Sequence, residues 1–193
     1  MASEGKLNSD EILHAEFDYI AQTAFQANED RARVTSFYFV SVGSLVAAIL
    51  GTQFAADSMR GVSPAFSLLF LVLTALGGLT ISQLARLRAA WHESVEAMNQ
   101  LKDFYIQRHP EIEPAFKWRM SSIPPTDKTY SIANLMAVEV SLLGALTSAA
   151  AVYFLLNSLG GVAWWGWLLT VVFCAAGYLA HWLWYKHLLV DSQ

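Results

Sequence analysis

Between Lys128 and Lys186 the chain carries one acidic residue, Glu139, and no Lys or Arg. A helix crosses the hydrocarbon core of a bilayer, about 30 Å thick, with roughly 20 apolar residues. The interval has room for two crossings. Two further uncharged apolar runs lie upstream, at residues 34–56 and 61–85. Inside lipid, backbone N–H and C=O groups must be satisfied by the protein itself, which selects helices or closed barrels. Continuous apolar runs of this length select helices. The sequence predicts an all-α polytopic membrane protein with four transmembrane helices and a helical cytosolic collar. The expected parts are a cytosolic amphipathic helix (1–33), a first transmembrane hairpin (34–85), a cytosolic helical extension and linker (86–128), a second transmembrane hairpin (129–185) and a cytosolic tail (186–193).

Composition narrows the class further. Hydrophobic residues make up 55% of the chain and charged residues 15%, well below the quarter or so usual for soluble domains. The charge gathers in 1–33 and 86–128, so the expected architecture is one membrane domain with cytosolic appendages. A net charge of −4 gives no reason to expect a nucleic-acid partner. Cys174, the one cysteine, cannot form an intramolecular disulfide and reads as a small packing residue. His14, His92, His109 and His187 lack metal-ligand spacing, and there is no His-Glu-x-x-His, Cys-x-x-Cys, Gly-rich phosphate loop or Gly-x-Ser-x-Gly. The expectation is no cofactor, no metal and no enzymatic activity. Residues 1–33 are polar and acidic, unlike a secretory signal, so the first span is expected to direct insertion.

Orientation follows from the basic residues, which collect in cytoplasmic loops. Lys6, Arg31 and Arg33 precede the first span. Arg86, Arg88, Lys102, Arg108, Lys117, Arg119 and Lys128 lie between the second and third, and Lys186 follows the fourth. Only Arg60 falls on the other side. Both termini and the long connector are expected in the cytoplasm of a cell with an inner membrane. Trp164, Trp165 and Trp167 then mark the outer interface, and Trp182, Trp184 and Tyr185 the inner one.

Asn8 followed by Glu11 reads as a helix start. Leu13, Phe17, Ile20, Ala24 and Ala27 then form one narrow apolar stripe. No Pro or Gly intervenes before Gly43, so this helix is expected to run into the first span. A short outer turn holds Gly61, and Pro64 opens the second span. Past Leu84 the pattern becomes heptad-like through Leu87, Trp91, Ser94, Met98, Leu101 and Tyr105. Pro110 is expected to end that helix. The linker is broken by Pro114, Pro124 and Pro125, with Phe116 and Trp118 to bury, and Thr126 is a possible cap for the third span. A tight hairpin around residues 157–161 joins the last two spans.

Three features are candidates for function. Glu139 is costly inside a span and should face water or a partner, with Arg86 and Arg88 the nearest candidates for an ion pair. Gly43, Ala47 and Gly51 share one face of the first span and Gly144 and Ser148 one face of the third, a pattern that lets helices approach closely. The collar stripes, carrying Leu13, Phe17, Leu87, Trp91, Met98, Leu101 and Tyr105, can pack within a subunit or between subunits. His181 reads as an interfacial or hydrogen-bonded histidine.

The run from Tyr19 through Arg31-Ala-Arg33 into Phe37-Tyr38-Phe39, the connector from Trp91 through Leu101-Lys102-Asp103-Phe104-Tyr105, and Pro114-Ala-Phe116-Lys-Trp118 ahead of a further span together resemble the RipA-type small bacterial inner-membrane proteins, a family described as octameric. The layout also looks like the two-transmembrane effector domains of bacterial nucleotide-signalling defence systems, thought to form pores. The resemblance covers residues 10–156 and carries over no catalytic residue. It implies an oligomeric ring in the cytoplasmic membrane with a helical collar. The resulting expectation is a homo-oligomeric channel, pore or scaffold in contact with membrane lipids. Alternatives are an adaptor subunit whose cytosolic helices bind a protein partner, and a small proton- or ion-coupled transporter using Glu139.

Overall fold

The computed structural model describes residues 9–51 and 56–190, with the side chains of Ser9 and of 56–59 excepted. Four long helices follow in order: α1 (Ser9–Gly51), α2 (Ala56–Arg108), α3 (Ile132–Ser158) and α4 (Trp164–Val190). Two short 3-10 turns, Pro110–Ala115 and Met120–Ser122, lie between α2 and α3. All four helices are long and apolar enough to cross a membrane. The proposed cap Asn8 and residues 52–55, part of the expected outer connection, lie outside the described residues.

Local chemistry sets the helix boundaries. Asp10 and Glu11 occupy the first turn of α1, where acidic groups favour the positive end of the helix dipole. The helix then continues unbroken through Arg31 and Arg33, as the lack of early Pro or Gly suggested. Gly61 is helical rather than part of a turn, since α2 already starts at Ala56. Pro64 sits inside α2, where it lacks one N–H donor to the preceding turn. Gly77 and Gly78 leave α2 uninterrupted. The helix stops at Arg108, two residues before Pro110. Thr126 does not cap α3. That role falls to Ser131, whose hydroxyl accepts from the Asn134 N–H at 3.2 Å. Gly160 and Gly161, at φ of 130° and 107°, turn the chain between α3 and α4 in a conformation that favours glycine.

The chain divides into two units. The apolar unit spans Arg31–Arg86 and the described part of 127–193. Its core takes Tyr38 and Val42 from α1, Phe70, Leu73, Ile81 and Leu84 from α2, Ala137 and Val140 from α3, and Tyr185 and Leu189 from α4. α3 is the most enclosed helix: 44% of its most apolar stretch is buried, against 17% for α1 and for α4. Its buried positions are mostly small, including Ala133, Ala137, Ser141, Gly144, Ala145 and Ala149. Small side chains permit this close approach. At one end of the unit, Asn157 Nδ2 donates to Ser63 Oγ at 2.8 Å, and Ser67 Oγ donates to the Ala151 carbonyl at 2.8 Å. Trp164, Trp165 and Trp167 are exposed, as an interfacial belt requires. Tyr185 is not part of such a belt, because its side chain fills the core at 1% exposure.

The charged unit combines Leu87–Thr126 with the described residues before Arg31. Here the linker folds against the α2 extension. Arg88 is buried, donating from Nε to the Thr126 carbonyl at 3.1 Å and from a terminal nitrogen to the Pro125 carbonyl at 3.2 Å. Its guanidinium also lies 4.6 Å from the Trp91 ring centre. Arg119 bridges Glu113 and Asp103 at 3.1 and 3.4 Å. Ser94 is buried, and Leu87, Trp91, Met98, Leu101 and Tyr105 are half-buried within one chain. On α1, Ile20 and Ala27 are buried and Leu13 is half-buried, while Phe17 is 40% exposed at the edge of the stripe. Trp118 is 65% exposed, contrary to the burial expected of it. Its backbone carbonyl instead accepts from Lys102.

Candidate functional site

The most polar part of the apolar unit's interior is built around His181 of α4. Its ring is 7% exposed. Nδ1 lies 2.7 Å from the Gly177 carbonyl, one turn back on the same helix, and Nε2 lies 3.2 Å from the Thr74 carbonyl of α2. Carbonyl oxygens only accept, and a neutral imidazole donates once. A neutral ring therefore satisfies one of these contacts, and an imidazolium satisfies both.

Glycines make room for the ring. A Cβ on Gly144 would stand 2.8 Å from His181 Cε1 and Nε2. A Cβ on Gly77 would stand 3.0 Å from Nε2 and 2.7 Å from the Tyr38 hydroxyl. Beside this notch, Thr74 Oγ1 lies 3.0 Å from Thr147 Oγ1, and Thr147 donates to the Gly144 carbonyl at 3.0 Å. The Tyr38 hydroxyl has Thr147 as its polar neighbour, yet it reaches no partner in hydrogen-bonding geometry. One turn along α3, Ser148 contacts the Phe173 carbonyl at 3.1 Å, and a Cβ on Gly177 would strike its hydroxyl.

Chemically this centre joins α2, α3 and α4 by hydrogen bonds, with Tyr38 of α1 packed beside it, in a setting where few other polar partners exist. It does not form a nucleophile–base pair, because both His181 nitrogens face carbonyls. Among the described residues, no group of three metal-ligating side chains comes together.

The other candidates are distributed differently. Glu139 is exposed on α3 and makes no hydrogen bond or ion pair among the described residues. Arg86, in the same unit, is exposed and is not paired with Glu139; Arg88 belongs to the charged unit, where the carbonyls of Thr126 and Pro125 engage it. Gly144 and Ser148 do pack helices closely. Gly43, Ala47 and Gly51 do not; all three are exposed, and a Cβ on Gly43 or Gly51 would meet nothing within 4 Å.

Sequence alone presents His181 singly and gives Tyr38, Thr74 and Gly77 no shared role. A histidine inside an apolar run was the available signal. Its partners come from three other helices, at separations that no local pattern encodes.

Fold and site define the class, an all-α chain with four helices able to span a membrane. No protein-family model, curated protein or solved structure matches the chain, so the functional reading rests on its own residues.

Proposed function

We propose that the protein is a homo-oligomeric integral membrane protein of a bacterial inner membrane, with both termini cytoplasmic, acting as a channel, pore or membrane scaffold. The observation that carries this reading is the open small-residue face of α1, where Gly43, Ala47 and Gly51 lie exposed and unpacked. Small residues at four-residue spacing let a second helix approach to backbone contact, and in lipid such packing drives association. A second copy of the chain would use that face.

Glu139 supports assembly independently. At the centre of a span a bare carboxylate costs about 2.5–3.5 kcal/mol, and less toward the headgroups. Glu139 lies seven residues into α3, about 10 Å from its start at 1.5 Å per residue. A neighbouring subunit or a hydrated axis between subunits would relieve that cost. The filled core of the apolar unit supports a conducting path between subunits rather than within one.

Sizing of purified protein in nanodiscs, paired with ion leak from liposomes, tests the proposal. An oligomer whose leak falls in Glu139→Gln at unchanged size supports a channel, and a leak-free oligomer supports a scaffold. A monomer would remove both.

The charged unit favours the adaptor reading as an alternative. Phe17 and Phe25 lie eight residues apart on one helical face and are 40% and 63% exposed. Pull-down with residues 1–33 deleted separates this reading from self-assembly, since only partner binding should be lost.

A further inference from the structure

Within the charged unit a cavity of about 350 Å³ lies between the α2 extension and the linker. That volume falls in the range of small-ligand clefts, about 300–1,000 Å³. Helical spacing builds one wall. Trp91, Val95 and Asn99 recur every four residues and so share a face of α2. Trp118, Ile123 and Pro124 of the linker supply the other wall. Hydrogen bonds from α2 hold the linker on either side of this stretch. Lys102 donates to the Trp118 carbonyl at 3.3 Å, and Arg88 donates to the Pro125 and Thr126 carbonyls.

One group on the helical wall is unsatisfied. Asn99 is 2% exposed. Its Nδ2 donates to the Val95 carbonyl at 2.9 Å, which makes the other side-chain atom the acceptor oxygen. That Oδ1 has no hydrogen-bond partner among the described residues. A buried acceptor left without a donor is costly, and native folds seldom keep one. The cations on the walls, by contrast, are committed. Arg119 bridges Glu113 and Asp103, and Lys102 holds the Trp118 carbonyl.

We propose that this cavity binds a neutral, flat heteroaromatic molecule that carries a ring N–H. The proposal concerns the charged unit alone and does not depend on the oligomer. The ligand's N–H donates to Asn99 Oδ1. Its ring lies against the indoles of Trp91 and Trp118 and the aliphatic Val95 and Ile123, removing apolar surface from water on both partners. An anion would have to draw Arg119 or Lys102 from partners they already hold, and a cation would meet both of their charges. A water in the ligand's place would need several polar partners, against a lining that is mostly apolar.

The test uses the full chain in nanodiscs, dialysed to equilibrium against indole or benzofuran, with empty nanodiscs as the blank for partition into lipid. Benzofuran keeps the two fused rings and replaces the N–H by oxygen. Indole should bind saturably and at least about tenfold more tightly than benzofuran, since only indole gives the buried acceptor a donor. Asn99→Leu, which removes the acceptor at similar volume, should bring the two affinities together. Ile123→Trp, which fills the cavity and leaves Asn99 in place, should weaken binding of both. Indole-3-carboxylate should bind more weakly than indole. Equal affinity of the wild type for indole and benzofuran would overturn the proposal, as would an unaltered preference in Asn99→Leu. Undiminished binding by Ile123→Trp would put the ligand elsewhere and overturn it too, which keeps the test decisive should Asn99→Leu misfold. Tighter binding of indole-3-carboxylate would mean that the cations select an anion, and the neutral ligand would fall. Absence of saturable indole binding above the blank would leave water as the partner of Asn99 and end the proposal.

Discussion

The small-residue faces of α3 and α1 share a four-residue spacing and have opposite surroundings. On α3, Gly144 receives the His181 ring and Ser148 meets Gly177. On α1, Gly43 and Gly51 face open space. The α3 face is filled by α4, its neighbour in sequence, with the hydrogen bond from Ser148 to the Phe173 carbonyl added to the packing. The α1 face has no such occupant among the described residues. The contrast teaches that a small-xxx-small pattern reports a capacity for close approach, and that burial decides which partner has used it. Within one subunit the α3–α4 pair is complete and the outer face of α1 is not.

Substitution at the filled face should have the largest effect. Gly144→Val places a branched side chain where even a Cβ lies 2.8 Å from the imidazole. Overpacking of this kind costs about 1–3 kcal/mol, and displacement of His181 adds the loss of a hydrogen bond. Thermal unfolding in detergent should register a clear loss of stability. Wild-type melting would show that α3 and α4 are not packed through this notch.

Arg88→Ala comes next and probes a different kind of complete packing. It removes two hydrogen bonds from a charged group to the Thr126 and Pro125 carbonyls, and the loss falls on the linker rather than on global unfolding. Limited proteolysis should cut the 110–126 linker faster in the variant. An unchanged cleavage rate would mean that the linker is held by other contacts.

A smaller effect is expected at the end of the apolar unit. Asn157→Ala loses one hydrogen bond to Ser63, a net contribution of about 1 kcal/mol. Hydrogen exchange should rise locally around the α3–α4 turn. Global melting should shift little.

Much of the architecture was legible because it depends on charge and length. The uncharged runs gave four helices, and Pro110 gave the end of α2. The Leu87–Tyr105 heptad gave an inward stripe, since its period is local. What stayed illegible depends on contacts distant in sequence. Thr126 and Ser131 are both competent N-caps; only the fold, which binds the Thr126 backbone to Arg88, decides between them. Tyr185 resembles an interfacial aromatic by position and is a core residue by packing. The ion pair expected for Glu139 required α2 and α3 to present particular faces to one another, and the sequence does not contain that rotation. The polar centre was hidden for the same reason: Tyr38, Thr74, Thr147 and His181 come from four helices.

Glu139→Gln should have the smallest effect on the folded subunit, because the side chain faces outward and Gln keeps its shape. It sharpens the comparison by asking whether an outward-facing group matters beyond one subunit. Its expected effect is on ion leak, with melting and size unchanged.

The most direct measurement concerns Gly43. Because a Cβ there meets nothing within 4 Å in one chain, Gly43→Leu should leave the folded subunit intact, and any change reports on contact between copies. The molecular mass of Gly43→Leu in nanodiscs, measured beside wild type and with melting as the control for folding, is the deciding quantity. The account predicts a wild-type oligomer that falls to smaller species in the variant at unchanged melting. A variant that keeps the wild-type mass would contradict the assignment of α1 as the self-association face.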